Sequence, residues 1–361
     1  MSLAEVLPNC LDAVAGRRGR LGLAPVAHAV VAVVDGLGAI QLAAHAGHAR
    51  TLAGSSVRND AIDAVFPTTT ASALATLTTG ESPGIHGMVG YTVLDPAHDR
   101  VVNQLSGWDQ DLDPATWQRR PTVFELAGGE GIASIAIGHS RYRDSGFTRA
   151  VLRGAEFRGA DGLEPRIDVA LAAVRDPGPS VVYLYIPELD VVGHAHGVAS
   201  AKWIAALEQV DAALARLIRG LGPRDGLLVT ADHGMVDVPH ESHVIPDASL
   251  LVGVRHVTGE PRCLQLHLEP GVDADELADR WRAAEGSRAW IATRAEAVDA
   301  GWFGTVDSDV LLRIGDVLIA ARRPLAYYVD PADRGRSMVG QHGSLTRDEL
   351  TIPLIRFGAF A

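Results

Sequence analysis

Six side chains of the kinds that ligate metal ions stand out in this chain: Asp35, Asp190, His194, Asp232, His233 and His342. Each follows an apolar, strand-like run or lies in a glycine-flanked loop, and a threonine run, Thr68-Thr69-Thr70, follows Phe66-Pro67. Three imidazoles with three carboxylates suit zinc, or manganese, iron or cobalt, better than magnesium or calcium, which prefer all-oxygen shells. Two such ions about 4 Å apart can activate a nucleophile, hold a transferring phosphoryl group and neutralise a leaving oxygen. A threonine hydroxyl is a weak nucleophile at neutral pH, and metal coordination lowers its pKa without a neighbouring base. Singly these residues are ordinary turn formers and helix caps. Together they lead us to expect a two-metal phosphoryl-transfer site acting on a small phosphate ester.

The elements that must position them alternate between short β-branched runs and helical patterns, the mark of an α/β sheet. Ala29 to Val34, Ala61 to Phe66, Ile132 to Ile137, Val181 to Ile186, Leu227 to Thr230 and Thr351 to Phe357 read as strands. In an open parallel sheet, ligands bind beyond the carboxyl ends of the strands. Asp35, Thr68 to Thr70, Asp190 and Asp232-His233 all follow such ends, so parallel strands bring them to one edge. Asp190 and His194 are four residues apart and share one face of a helical turn. A helix over Ala71 to Leu77 places Thr70 at an amino end, where free backbone donors favour an anionic group. The apolar stripe of Lys202 to Leu221, together with Pro165 to Val174 and Thr122 to Ala127, reads as core-facing helix.

From His240 to Arg336 the pattern changes, with an alternating strand at Arg262 to Leu268, an amphipathic helix at Asp273 to Ala284 and a short strand at Ala289 to Ala292. The expected fold is α/β, a mostly parallel central sheet sandwiched by helices. Residues 1–239 and 337–361 form its metal-binding core, and 240–336 form a smaller inserted α+β subdomain.

Composition narrows the partners. Apolar residues make up 47% and charged residues 21% of the 361, an ordinary globular balance. A formal charge of −12 disfavours a nucleic acid polymer but leaves a phosphate substrate open, because bound cations dominate a site's field. Cys10 and Cys263 match no redox or metal spacing, and a reducing compartment fits them. The first residues show no signal-peptide pattern, and the apolar run Val26 to Val34 is short of the ~20 residues of a membrane span. We expect a cytoplasmic protein without a membrane partner.

These motifs resemble the alkaline phosphatase superfamily, and within it the type I phosphodiesterase/nucleotide pyrophosphatase branch. The resemblance rests on Val-Val-Asp35-Gly, on Phe66-Pro-Thr-Thr-Thr70 followed by Thr79-Gly80, and on Pro83-x-x-His86-Gly87. It continues through Tyr185-x-Pro187-x-x-Asp190-x-x-Gly193-His194, Asp232-His233-Gly234-Met235 and His342-Gly343. It implies an alkaline phosphatase-like core with one metal on Asp190, His194 and His342, and a second on Asp35, Asp232 and His233. The family pattern Pro-Thr-x-Thr makes Thr70 the nucleophile of a covalent phosphothreonine intermediate. Ala71 stands where nucleotide-cleaving members carry a stacking aromatic, and Tyr91 where they carry a phosphoryl-binding asparagine. Arg141 and Arg143 fall where related monoesterases use a Lys-x-Arg pair, and arginine forks suit that task. A phosphomutase, a phosphonate hydrolase and an inactive metal-binding protein are the alternatives on this scaffold. A sulfatase is disfavoured, because neither cysteine has the Cys-x-Pro-x-Arg context.

Overall fold

A computed structural model of the chain describes residues 1–54 and 59–361. Its strands begin with β1 (His28–Val34), β2 (Asn59–Asp63), β3 (Thr92–Asp95) and β4 (Arg100–Asn103). Next come β5 (Ala133–Gly138), β6 (Glu156–Gly159), β7 (Ser180–Ile186) and β8 (Asp225–Thr230). The later ones are β9 (Val254–Glu260), β10 (Cys263–Leu268), β11 (Ala289–Thr293), β12 (Val317–Ala321) and β13 (Thr351–Gly358).

The main sheet runs in the order β2-β13-β8-β1-β7-β5-β6. β1 pairs in parallel with β7 and β8, and β5 in parallel with β6 and β7. β13 alone is reversed, lying antiparallel between β8 and β2, so β2 points the same way as β8. The expected mostly parallel sheet is therefore present, with one antiparallel strand inside it. Every residue of β8, and every residue of β1 after His28, is buried. Alternate side chains point to opposite faces, so both faces must be covered. Val6–Val14, Thr70–Thr79 and Val123–Gly129 pack with one another as one helical group. Leu163–Ala173, Glu188–His196 and Ala201–Arg219 form the other. β2 stops at Asp63, short of the expected Phe66, because its pairing with β13 ends at Thr351 opposite Asp63.

A second sheet, in the order β11-β12-β10-β9-β3-β4, is antiparallel throughout. Four of its strands come from the stretch expected as an insertion. The other two, the hairpin of β3 and β4, come from Thr92–Asn103 and join through Gly259 opposite Thr92. This sheet is thus not confined to 240–336. Cys10 and Cys263 are both buried and free. Among the described residues, no helix is long and apolar enough to cross a membrane.

Candidate active site

Strand register sets where the ligand-type residues emerge. Val34 lies opposite Ile186, and Val33 opposite both Tyr185 and Thr230, so β1, β7 and β8 end level. Asp35 leaves directly from β1, and Asp232-His233 one residue beyond β8. Asp190 and His194 sit on the helix Glu188–His196 that follows β7, four residues apart as expected. Gly36 turns the chain at φ +74°, a conformation that strains side-chain-bearing residues. A Cβ there would lie 3.2 Å from the Asp190 Cα, so glycine permits the close approach of these two segments.

The threonine run divides its labour. Thr68 is fully buried; its hydroxyl donates to the Ser344 carbonyl at 2.8 Å and accepts the Gly343 amide at 2.9 Å. Its own carbonyl accepts Nδ1–H of His342 at 2.7 Å. Thr68 therefore clamps the loop that carries the last imidazole. Thr69 is the N-cap residue of the ten-residue helix Thr70–Thr79, and Thr70 is its first residue. The Thr70 hydroxyl has one contact, donating to Nε2 of His233 at 3.3 Å. Thr68 is thus committed on both sides, whereas Thr70 keeps a single contact among the described residues.

All three imidazoles are oriented alike. Nδ1 of His194, His233 and His342 meets the carbonyls of Gly340, Gly234 and Thr68, at 2.8, 3.1 and 2.7 Å. A carbonyl only accepts, so Nδ1 carries the proton and Nε2 presents its lone pair. The His194 and His342 Nε2 atoms face each other at 3.3 Å, and Oδ1 of Asp190 lies 3.3 and 3.8 Å from them. Nε2 of His233 lies 3.5 Å from both Asp35 Oδ1 and Asp232 Oδ2. Asp190, His194 and His342 offer ligand atoms within 4.8 Å of one another, and so do Asp35, Asp190 and His233. Asp190 thus reaches both groups.

Electrostatics shows what this arrangement wants. Asp35 Oδ1, Asp190 Oδ1 and Asp232 Oδ2 are buried without a hydrogen-bond partner. Burial, then the charges of Asp190 and Asp232, pushes the Asp35 carboxyl well above the ordinary range. Burial likewise raises Asp190 and Asp232 to about 6. It lowers His233 to about 3 and His342 well below an ordinary imidazole, the latter helped by His233 and His194. Tyr185 gives Asp35 Oδ2 a hydroxyl donor, and the Gly36 and His233 amides serve Asp232 Oδ1 at 3.2 and 3.0 Å. These contacts orient the carboxylates but leave their charge unopposed. Converging acceptors without donors fit divalent cations.

A sequence profile of the family described as type I phosphodiesterase / nucleotide pyrophosphatase matches residues 29–345. The chain belongs to this family.

Curated relatives within the type I phosphodiesterase family include venom phosphodiesterase 2 of Crotalus adamanteus, 28% identical over 185 residues, 48% of this chain and 22% of that protein. Mouse ectonucleotide pyrophosphatase/phosphodiesterase family member 3 is 30% identical over 182 residues, 48% of this chain and 20% of that protein. The chain spans about a fifth of the length of these relatives. Among solved structures, murine ectonucleotide pyrophosphatase/phosphodiesterase 5, in an inactive form with AMP, matches with a TM-score of 0.71 at 18% identity. That match covers 91% of this chain and 87% of the other. Phosphonoacetate hydrolase from Sinorhizobium meliloti 1021, with phosphonoacetate, gives 0.70 at 19% identity over 91% and 89%. The fold is shared with both.

In this member of the type I phosphodiesterase family, two chambers meet at Thr70 and Leu105. One, of about 120 Å³, is walled by Leu74, Phe147, Phe157, Tyr183 and Tyr185 and is largely apolar. The other, of about 300 Å³, has Tyr91, Asp190, His194, Glu260 and His342 on its walls. Tyr91 thus reaches the site. Arg141 and Arg143 are exposed and line neither chamber: Arg141 donates to the Tyr142 hydroxyl at 2.6 Å, and Arg143 to the Phe157 carbonyl at 2.8 Å. It is Tyr142, between them, that faces the apolar chamber. Glu260 was not expected from sequence. It ends β9 just before Pro261, and burial pushes its carboxyl up to about 8. A lone glutamate at a strand end carries no motif, and only the pairing of β9 with β3 brings it here.

Proposed function

We propose that the chain is a two-metal phosphodiesterase working through a covalent phosphothreonine on Thr70. One observation carries this reading: three buried carboxylate oxygens and three imidazole lone pairs converge beside a lightly held threonine hydroxyl, with no donor among them but that hydroxyl. The donor set fits two divalent ions, zinc above all. Asp190, His194 and His342 would hold one, and Asp35, Asp232 and His233 the other. Bound there, such ions supply Lewis-acid charge and lower the pKa of a coordinated hydroxyl.

The chain's own groups do the rest. Oγ1 of Thr70 attacks phosphorus, the bond to the leaving alcohol breaks, and that alcohol takes the proton the threonine has lost. Water then attacks the phosphothreonine, the Thr70 oxygen departs and is reprotonated, and the phosphate product is released. First-turn amides of the helix Thr70–Thr79 lack intrahelical partners and favour the anionic phosphoryl group. Tyr185 and the Gly36 amide keep Asp35 and Asp232 in place.

Charge favours a diester. Two divalent ions against three carboxylates leave one net positive charge, matching a single diester anion. Among the described residues, no lysine or arginine lines either chamber to meet the second charge of a monoester or of phosphonoacetate. The apolar chamber suits an aryl or alkyl group. The same lack of basic side chains, with the −12 charge, supports a small molecule over a nucleic acid polymer.

The test is a panel of aryl phosphodiester, aryl phosphomonoester and phosphonoacetate with zinc-loaded protein. We expect the diester to lead in kcat/KM by at least about tenfold, about 1.4 kcal/mol. Thr70→Ala should retain metal and lose turnover. Wild-type rates in that variant would remove Thr70 as nucleophile, and a lead for monoester or phosphonate would replace the diester reading. Bound zinc with no hydrolysis of any substrate would make the chain a binding protein.

A further inference from the structure

We infer that Glu260 is a specificity residue: its free carboxyl oxygen receives a hydrogen-bond donor, a hydroxyl or an ammonium, carried by the part of the substrate that enters the polar chamber. This rests on the phosphodiesterase reading of the site.

Glu260 is 7% exposed and forms part of the wall that also holds Thr70, Asp190, His194 and His342. Its Oε2 accepts the Tyr91 amide at 2.9 Å, whereas Oε1 is buried with no partner. The carboxyl belongs to neither metal-ligand group, so a cation held by those groups does not account for it. Nor does the buried arginine two residues on. Arg262 spends its guanidinium on both oxygens of Glu349 and on the carbonyls of Ala321, Arg323 and Leu325.

The surrounding backbone makes room for this side chain. Gly343, at φ +133°, lies so close that a Cβ there would sit 2.3 Å from the Glu260 Cγ. The residue after the last imidazole is therefore one that admits Glu260 into the wall. Fixing the Tyr91 loop needs a single acceptor, which Oε2 supplies and a glutamine oxygen would supply equally well. A structural role leaves Oε1 unexplained. Among the described residues, no lysine or arginine lines this chamber, so an anion on the substrate meets no basic side chain beside Glu260. A donor group finds an acceptor waiting.

The experiment is run at pH 9, above the value of about 8 to which burial pushes Glu260, so that Oε1 is an acceptor. It compares kcat/KM of the zinc-loaded enzyme on para-nitrophenyl phosphodiesters whose second alcohol is propyl, 3-hydroxypropyl, 3-aminopropyl or 2-carboxyethyl. The wild type should favour the hydroxyl and amino esters over propyl by about tenfold and reject the carboxylate. Glu260→Ala should bring the ratios to propyl within about twofold of unity. Glu260→Gln, which keeps the Tyr91 contact, should hold the hydroxyl preference and lose the amino one. The two donor esters thus tell a neutral from a cationic group. Ratios unchanged in both variants, or all esters falling in parallel, would overturn the inference and leave Glu260 a loop anchor. No hydrolysis of any ester by the wild type would overturn the phosphodiesterase reading, and this inference with it.

Discussion

Two sets of acids with buried carboxyl oxygens lie close together here, and they differ in company. Glu349 receives Nε and Nη2 of Arg262 at 2.8 Å each, the Ser344 amide at 3.0 Å and the Thr346 hydroxyl at 2.5 Å. Burial alone would raise its carboxyl, but Arg262 outweighs burial and holds it below the ordinary range. Asp35 and Asp232 are as deeply placed, and the Asp190 side chain is 14% exposed. Among the described residues none of the three meets a lysine or arginine, and all are pushed upward. Thr68 and Thr70 repeat the contrast, one hydroxyl committed on both sides and the other nearly free. Burial does not distinguish scaffold from chemistry. The unfilled valence does.

The comparison can be broken at several points. The largest effect should come from Thr70→Ala, with kcat reduced at least about 10³-fold and stability within about 1 kcal/mol of wild type. Single-turnover kinetics and thermal melting check the two halves. Next, Glu349→Ala leaves the Arg262 charge buried and unpaired, which should cost about 3–5 kcal/mol whether or not metal is present. Denaturant melts with and without chelator measure it, and a loss that zinc restores would contradict the division.

Asp232→Asn should do the opposite in metal-free protein. The native carboxyl near 6 lies above its ordinary 3.8, so the folded state binds more protons and wild-type stability falls as pH rises between these values. The variant should then gain about 1–2 kcal/mol at pH 8 and nothing near pH 4, while losing zinc affinity. A destabilised variant at pH 8 would show that the acid is already compensated. The smallest effect belongs to Thr68→Val, about 1–2 kcal/mol from two lost hydrogen bonds. Its activity loss should be far milder than that of Thr70→Ala in the same assay.

Much of the candidate site was legible because Asp35, Asp190 and Asp232-His233 follow the ends of strands, and parallel pairing converts that local fact into a shared edge. Asp190 and His194 needed only the helical period. Arg141 and Arg143 show where such reasoning stops. The resemblance put them near the site, but on a single tight turn it could not say which side chain faces inward, and Tyr142 does. The second sheet was half-legible for a different reason. Its hairpin at Thr92–Asn103 pairs with a strand that starts at Val254, and no local pattern announces so distant a partner. Glu260 escaped for the same cause. Thr68 could be told from Thr70 only once the loop it clamps was in view.

That clamp also sets an order of assembly. Thr68 bonds to the backbone of Gly343 and Ser344 and to the His342 ring, 274 to 276 residues further along. β13, later still, slots between the edge strand β2 and β8. A chain emerging from the ribosome therefore carries Thr68 to Thr70 long before Gly340 to Ser344 can join them. Before Thr351–Gly358 is placed, β2 and β8 have no strand between them. The six acceptors can therefore converge only after His342 has been made and bound to Thr68.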